Sequence, residues 1–486
     1  MAGGVLRRAA ALAGCMVVAF SATAAAAPPE LVPAAVDRYL ADSLAATGFP
    51  GMAVAIVRGG EVVHAAGYGT DGRGDPVTPR TPFRVGSLTK SFTAAAVLQL
   101  VDAGNVALDA PVQTYLPDFT TADPDSARRI TVRHLLNQTS GLADSGIPSL
   151  NDGGQDLAQR VASLRAARPV SEPGREFHYS DPNYQVLARL VEVVSGEPWA
   201  AYLGERVFAP LGTTDTVAGA TAAQADAPPG HVLLFGMPVA RPELDGLLAG
   251  SGGVVSTAQD MGRWIGAQST GGGPVLRPDG VALMQTPPPG VAGGYAMGWQ
   301  LGTPEHAPRR LEHTGVLSTY SAIQVLLPES DQGFVLLFDG NSATADTAGV
   351  AAGLVAILTG DARPAGPRST AVLAAVLGAV TLAVLALRVR QLLLVPRWQR
   401  RLVARPRWTA LPGLVRLVLP VALVAGLPAL LGSMIGRSFT FWQLCLAMPD
   451  VVVPIAAWAL SGTVLAGARV VALVRAGRGL DPVAPR

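Results

Sequence analysis

The spacing of apolar residues divides the chain into two parts, and the first part mixes strands with helices. Apolar positions repeat at helical intervals over Leu31–Ala46, and two extended segments then flank Gly59-Gly60, a dipeptide typical of a β-hairpin turn. The other predicted elements are the strands Ala53–Val57, Val62–Ala66, Tyr320–Leu327 and Gly333–Phe338, and the helices Ser91–Val101, Ala345–Leu358 and one beginning at Ala258. Residues 105–250 show mostly helical patterns. Strands near both ends of a helical middle indicate an α+β fold in which distant segments build one sheet.

The second part, residues 363–486, contains three long apolar runs. The first, Thr370–Leu387, has 18 residues and no charge, about the length that crosses the hydrocarbon core of a bilayer. Leu417–Ile435 and Val451–Ala468 are two further candidates, and the prolines inside them are tolerated in membrane helices. We therefore expect an all-α transmembrane region with spans at about 370–387, 417–435 and 451–468. The alternative is a set of buried helices in a soluble domain.

The arginines between the apolar runs predict the orientation of these spans. The connection Arg388–Arg416 carries eight arginines and no acidic residue, and the tail after the third run carries three more before residue 480. Positive connections stay in the cytoplasm. Residues 28–362 are therefore expected outside the cytoplasm of a multi-pass membrane protein, with the C-terminus inside.

The N-terminus has the pattern of an export signal, which agrees with this orientation. Arg7 and Arg8 precede the apolar stretch Ala9–Phe20, and the small residues Ala24–Ala27 offer cleavage sites. Residues 1–27 are predicted to be a signal peptide, or else an uncleaved anchor. Leu12–Cys15 also resembles a lipoprotein box, which we interpret as a coincidence because a further apolar run follows it.

Composition and charge then narrow the classes of function. Residues 28–362 carry 33 acidic and 20 basic residues, whereas residues 363–486 carry 2 acidic and 15 basic residues. An acidic globular part excludes a nucleic-acid-binding role. No metal-binding, phosphate-binding or dinucleotide motif is present, so we expect neither a metal nor another cofactor. Of the 37 basic residues 36 are arginines, and the single lysine is Lys90.

That lysine stands three residues after a serine, where a helix is predicted to begin. The segment Ser87-Leu88-Thr89-Lys90 places a hydroxyl and an amine on one helical face. Serine becomes a nucleophile when a neighbouring group takes its proton, and the positive end of a helix dipole disfavours an ammonium. Arginine cannot take this role because it stays protonated. The alternative is a helix-capping serine beside an exposed lysine.

Around Lys90 the chain resembles a known family of enzymes. It is similar to the serine β-lactamase-related hydrolases, which include class C β-lactamases, DD-carboxypeptidases, D-aminopeptidases and esterases. The resemblance covers about residues 30–360, and its motifs occur in family order: Phe83–Lys90, Ile130–Leu142, Pro173–Asp181, Pro210–Gly212, Gly252–Thr257 and His313–Gly315. It implies a β-lactamase/DD-peptidase-like α+β fold, with an antiparallel sheet flanked by helices and a helical subdomain, followed here by the transmembrane region.

The resemblance assigns roles around Tyr179-Ser180-Asp181, which matches the family's Tyr-x-Asn motif. It implies that Tyr179 acts as general base, with its phenolate favoured by Lys90. Asp181 stands where asparagine is usual, and an ionised carboxylate cannot donate a hydrogen bond to a substrate carbonyl. Asp181 can instead hold Lys90 protonated, which leaves Tyr179 as the sole base.

The third motif is His313-Thr314-Gly315, where β-lactamases usually have Lys-Thr-Gly. The resemblance places it on an edge strand that lines the site, with His313 and Thr314 near the substrate and Gly315 allowing close approach. It also implies that the backbone N–H groups of Ser87 and Val316 form the oxyanion hole. Histidine in place of lysine weakens the positive charge that would bind the carboxylate of a β-lactam, so His313 is expected to assist Tyr179 and anchor the substrate.

Together these features predict a membrane-anchored, extracytoplasmic serine hydrolase that works through an acyl-enzyme. The expected substrates are D-amino-acid peptides of peptidoglycan type or small esters and amides, with β-lactams ranked last. The main alternative is a catalytically idle sensor or scaffold that binds the cell wall. A transporter is disfavoured because the spans lack an embedded acidic residue or lysine. The sequence leaves the oligomeric state open.

Overall fold

The structure is a computed structural model that describes residues 32–147, 156–244, 246–302, 309–360, 364–402, 406–435 and 440–478. The export signal predicted at residues 1–27 lies outside the described residues. The strands are β1 Gly51–Arg58, β2 Glu61–Gly69, β3 Phe83–Arg84, β4 Val217–Ala218, β5 Gly230–Leu234, β6 Met237–Arg241, β7 Val254–Ser256, β8 Tyr295–Ala296, β9 Trp299–Leu301, β10 Leu311–Val316, β11 Ser321–Leu327, β12 Gln332–Phe338 and β13 Gly340–Asn341.

The helices fall into a set within residues 33–358 and a C-terminal set. The first set is α1 Pro33–Thr47, α2 Thr89–Asp102, α3 Pro124–Arg129, α4 Val132–Leu136, α5 Leu157–Ser163, α6 Asp181–Ser195, α7 Trp199–Leu203, α8 Ala209–Leu211, α9 Ala258–Ser269, α10 Pro278–Met284 and α11 Thr347–Leu358. The second set is α12 Thr370–Leu393, α13 Val395–Leu402, α14 Leu411–Ile435, α15 Phe441–Ala447 and α16 Pro449–Arg478. The helices and strands predicted from the apolar pattern are confirmed, with ends that shift by a few residues.

A seven-stranded sheet forms the centre of the first part, in the order β2-β1-β12-β11-β10-β9-β8. Its neighbouring strands pair antiparallel, and β1 meets β12 from Met52 opposite Phe338 to Arg58 opposite Gln332. The sheet thus joins chain segments almost 300 residues apart, and the expected α+β fold is confirmed. Two three-stranded sheets, β13-β5-β6 and β3-β7-β4, accompany it and were not predicted.

Both faces of the central sheet are covered, as the side chains of β1 illustrate. Met52, Val54 and Ile56 belong to the core shared with α1 and α11. Residues 53, 55 and 57 belong to the larger core shared with α2, α6 and α9. Because successive side chains of a strand point to opposite faces, an unbroken apolar strand indicates burial on both sides. The helical subdomain, α2 to α8, contributes side chains to the same larger core as α9.

Three helices of the C-terminal set are long and apolar enough, by length and composition, to cross a membrane. They are α12, α14 and α16, whose most apolar 18-residue windows have mean hydropathies of 2.5, 2.3 and 1.8. Each contains one of the predicted spans. Pro420 and Pro428 lie inside α14, and Pro454 lies inside α16. The helical nature of the three apolar runs is therefore confirmed, including the two that contain proline.

Candidate active site

Ser87 lies in a short 3₁₀ turn, Gly86–Leu88, directly before α2. The preceding Gly86 has a φ of 53°, in the left-handed region that favours glycine. A Cβ at Gly86 would lie only 2.9 Å from the backbone nitrogen of Val316 on β10. Glycine therefore permits both the turn and the close approach of β10, and Ser87 remains half-buried at the edge of the site.

Lys90 is fully buried in the first turn of α2, and its ammonium group has three hydrogen-bond acceptors. Its Nζ donates to Ser87 Oγ at 3.0 Å, to Asp181 Oδ1 at 2.6 Å and to the backbone oxygen of Ser251 at 3.0 Å. An ammonium has three N–H donors and accepts nothing, so these partners match its capacity. The short contact with a carboxylate is a charge-assisted bond inside the protein. The arrangement holds Lys90 as a cation beside Ser87.

Asp181 reaches Lys90 from the first turn of α6, where the helix dipole favours a carboxylate. The residue is 9% exposed, and its backbone N–H donates to Asp144 Oδ1 at 3.2 Å. The substitution of aspartate for the family's usual asparagine therefore creates a buried ion pair, 91 residues apart in the chain.

The segment that carries Tyr179 is positioned by Gln138, a buried residue in the left-handed region with a φ of 58°. Its Oε1 accepts from the backbone N–H of Ser180 at 3.0 Å and from Asn183 Nδ2 at 2.5 Å, and its backbone oxygen accepts from His178 N–H. A non-glycine residue in this conformation persists only where its surroundings fix it. Gln138, a member of the motif Ile130–Leu142, thus fixes the backbone of the segment that carries Tyr179.

Tyr179 is half-buried within a group of aromatic rings next to the cation. Lys90 Nζ lies 4.8 Å from the centre of the Tyr179 ring. The Tyr295 ring meets Tyr179 edge-on with centroids 6.0 Å apart, and the His313 ring is tilted at 6.1 Å. The structure therefore brings Ser87, Lys90, Tyr179 and His313 into one site.

His313 is buried, and both nitrogens of its ring have partners. Nε2 lies 3.1 Å from the Tyr295 hydroxyl and Nδ1 lies 2.8 Å from the backbone oxygen of Thr314. Because burial raises the pKa of the Tyr295 hydroxyl far above its usual value, this hydroxyl stays protonated and donates to Nε2. Burial, together with the nearby Lys90 ammonium, lowers the pKa of the His313 ring to about 3. His313 is therefore neutral at pH 7.

Strand β10 brings the rest of the third motif against the serine turn. A Cβ at Gly315 would lie 2.0 Å from the backbone oxygen of Val85 and 3.3 Å from the nitrogen of Ser87, so no other residue fits there. Pairing with β9 covers Leu311 and Glu312, which precede the motif. Thr314 is exposed, as is Val316, so both are accessible from solvent.

The sequence did not reveal two participants of the site. Tyr295 stacks on Phe177 with ring centroids 5.5 Å apart and donates to His313, yet it stands in no motif. Ser251 contributes a backbone oxygen that accepts from Lys90 Nζ. A backbone acceptor does not depend on the type of its side chain, so the sequence indicates it only through the neighbouring glycines. Among the described residues, no group of three His, Cys, Asp or Glu side chains is arranged to hold a metal ion.

Comparison with known proteins identifies relatives that share this fold. A family model described as Beta-lactamase matches residues 36–357. Penicillin-binding protein 4 of Amycolatopsis lactamdurans is 37% identical over 164 residues, which cover 34% of this chain and 43% of that protein. Protein flp of Staphylococcus aureus strain COL is 27% identical over 320 residues, 63% of each chain. This chain therefore spans less than two thirds of either relative.

Two solved structures extend the comparison. The octameric penicillin-binding protein homologue from Pyrococcus abyssi superposes with a TM-score of 0.59 at 23% identity, covering 68% of this chain and 78% of that one. A D-stereospecific amidohydrolase from Streptomyces sp. superposes with a TM-score of 0.53 at 25% identity, covering 64% of this chain and 94% of that one. The fold implied by the sequence motifs is confirmed by these neighbours.

Proposed function

From the premise that this chain belongs to the Beta-lactamase family, we propose that it is a membrane-anchored serine hydrolase that forms an acyl-enzyme on Ser87. The observation that carries the proposal is the contact between the one lysine of the chain and Ser87 Oγ, at 3.0 Å, within the fold of this family. The alternative was an exposed lysine beside a helix-capping serine. Lys90 is instead completely buried.

The proton of Ser87 passes to Tyr179 in this mechanism. Lys90 is held as an ammonium by Asp181, so it orients Ser87 Oγ by donation and favours the phenolate of Tyr179 as a neighbouring cation. Ser87 Oγ forms a bond to the substrate carbonyl carbon while its proton moves to Tyr179. As the bond between the carbonyl carbon and the leaving group breaks, Tyr179 returns that proton to the departing alcohol or amine. Water then attacks the acyl carbon and gives a proton to Tyr179, which passes it to Ser87 Oγ as the bond between Ser87 and the acyl group breaks.

The oxyanion is bound by two backbone N–H groups, those of Ser87 and Val316. The contacts at Gly86 and Gly315 support this assignment, because each glycine lets one of these nitrogens approach the other segment to within about 3 Å of a Cβ position. Donors fixed before the reaction stabilise the charge that develops on the carbonyl oxygen. A side chain at either glycine would separate the two donors.

The neutral state of His313 favours substrates without a carboxylate at this position. A lysine there would supply a fixed positive charge, whereas the His313 ring is uncharged at pH 7 and already bonded to Tyr295. We therefore rank small esters and amides, including D-amino-acid amides, above D-amino-acid peptides with a free carboxyl end, and β-lactams last. The neighbouring Streptomyces structure, a D-stereospecific amidohydrolase, supports the inclusion of amides among these substrates.

The membrane helices hold the enzyme at a membrane with the site on the outer side. Support comes from the first residues of α12 and α16, which contact the hydrolase domain: Thr370 Oγ1 donates toward the backbone oxygen of Thr344, and Asp450 accepts from Thr344 Oγ1. The arginine-rich connection begins at the far end of α12. Both features agree with a multi-pass protein whose C-terminus is cytoplasmic.

Hydrolysis assays on the full chain in detergent test the activity. The substrates are p-nitrophenyl esters, D-alanine p-nitroanilide, a D-Ala-D-Ala peptide and a chromogenic cephalosporin. We expect turnover that is highest for the esters and absent in the Ser87→Ala variant. A wild-type rate equal to that of S87A on every substrate would contradict the hydrolase and favour the idle sensor.

A further inference from the structure

The hairpin of β5 and β6 exposes apolar residues along its outer strand. Met237 is 62% exposed and Val239, on the same face of β6, is 44% exposed. Pro238 and Ala240 on the opposite face are exposed as well. Four consecutive exposed apolar residues on an edge strand are an aggregation hazard in water unless something covers them. The hairpin therefore requires an apolar environment.

The turn of this hairpin lies against α12, some distance from the start of that helix. A Cβ at Gly236 would lie 2.8 Å from the Cβ of Ala374, and a Cβ at Gly378 would lie 3.9 Å from Cδ1 of Phe235. Gly378 is eight residues into α12, about 12 Å along its axis. The 24 residues of α12 extend about 36 Å, slightly more than a hydrocarbon core of about 30 Å. The turn is thus level with the outer part of that core.

Polar contacts lie at the domain-facing ends of the helices, as expected for the boundary between water and lipid. Arg241, at the end of β6, donates to the backbone oxygen of Leu446 at 2.8 Å. Asp450, which is 2% exposed, accepts from Ser342 Oγ at 2.7 Å and from Thr344 Oγ1 at 2.9 Å. These contacts fix how the hydrolase domain sits on α15 and α16.

We propose that the β5–β6 hairpin enters the outer half of the lipid bilayer beside α12, with Met237 and Val239 in contact with acyl chains. The occupant is lipid because the turn of the hairpin lies against Ala374 of α12, a helix long and apolar enough to cross a membrane, and Leu373 beside that contact is 44% exposed. The proposal rests on the membrane anchor of the proposed function. It places the hydrolase directly on the membrane surface.

The hairpin position also bears on the site itself. Two residues after β6, the Glu243 carboxylate accepts from the backbone N–H groups and the hydroxyls of Ser318 and Thr319. These residues form the turn that follows Val316. A hairpin seated in lipid thereby holds one wall of the site at a defined height above the bilayer.

A polarity-sensitive probe on single cysteines tests the proposal in the full chain, with Cys15 and Cys445 replaced by serine. The test position is Val239→Cys on β6. Val63→Cys is the matched control, since Val63 has the same 44% exposure and also lies on an edge strand, β2 of the large sheet. Val380→Cys in α12, 56% exposed, reports the anchor separately. The labelled chains are placed in lipid nanodiscs that hold either one copy or two copies, with and without nitroxide-bearing phosphatidylcholine.

We expect the probes at 239 and 380 to lose most of their fluorescence to the lipid nitroxide and to resist aqueous iodide several-fold better than the probe at 63. If position 239 behaves like 63 while 380 is quenched by lipid, the hairpin lies in water and the proposal is overturned although the anchor stands. If 380 also behaves like 63, the anchor itself is wrong. Protection at 239 that requires two copies in one disc would identify a second chain as the cover and also overturn the proposal.

Discussion

The neutral state of His313 has a measurable consequence for stability at acidic pH. The residue is 5% exposed, its Nε2 accepts from Tyr295 and its Nδ1 faces the backbone oxygen of Thr314. Burial and the Lys90 ammonium lower the pKa of the ring to about 3, whereas an unfolded histidine has a pKa of about 6.5. The folded protein therefore does not take up the proton that the unfolded chain binds below pH 6.5.

The size of the effect follows from these two pKa values. Above pH 6.5 both states hold a neutral ring, and the histidine contributes no pH dependence. As the pH falls, the unfolded state gains the proton first, so stability is lost progressively until the folded pKa near 3 is reached. Each pKa unit corresponds to about 1.4 kcal/mol, so the loss is about 2 kcal/mol at pH 5 and about 4 kcal/mol near pH 3.

Urea unfolding of the full chain in detergent, followed by tryptophan fluorescence, measures this dependence. We compare the wild type with His313→Gln and His313→Asn, which keep a polar side chain but do not titrate. Both variants are less stable at pH 7, and the stability gap to the wild type should narrow by about 2 kcal/mol between pH 7 and pH 5. A gap that stays constant over this range would refute the neutral, buried assignment.

Three further substitutions test other parts of the site. Asp181→Asn removes the carboxylate that accepts from Lys90 Nζ at 2.6 Å and leaves a buried ammonium without its charged partner, so the free energy of unfolding at pH 7 should fall by about 3 kcal/mol in urea titrations, and an unchanged value contradicts the ion-pair role. Gly315→Ala puts a Cβ 2.0 Å from the backbone oxygen of Val85 and should lower kcat at least 100-fold, about the effect of losing one oxyanion donor. The control Gly204→Ala, with open space around it, should leave kcat unchanged. Glu243→Gln weakens the turn after Val316 and should lower kcat about tenfold with KM unchanged; an unchanged kcat argues against positioning.

Much of the fold was predictable because its main elements carry strong local patterns. The hairpin around Gly59-Gly60, the helix after Ser87 and the uncharged run from Thr370 each appear in the structure close to their predicted bounds. These segments follow the periodicity of a strand or a helix without interruption. The resemblance to the serine hydrolases then implied the antiparallel sheet flanked by helices in which these segments assemble.

The elements that escaped prediction lack such local signals. The strands β5 and β6 are separated by Phe235-Gly236, with Phe235 in the left-handed region, and Pro238 lies within β6. Proline normally argues against a strand unless that strand lies at an edge, as β6 does. Short strands such as β4 pair over two residues only and leave no periodicity to detect.

The sequence predicted which residues form the site, but it did not predict the environment that keeps His313 neutral. The spacing of Ser87 and Lys90, and the aspartate at position 181, suggested the ion pair that the structure contains. The environment of His313 depends on Tyr295, which is 18 residues away and outside any motif. Burial and pairing of that kind arise from packing, which a single sequence does not encode locally.

Covalent labelling of Ser87 tests the central claim most directly. The full chain in detergent is incubated with a fluorophosphonate probe, and the modified peptide is mapped by mass spectrometry, with Ser87→Ala as the control. We predict one adduct on Ser87 in the wild type and none in the variant. No adduct on Ser87, or equal labelling of both proteins at another residue, would contradict the account of this chain as a serine hydrolase.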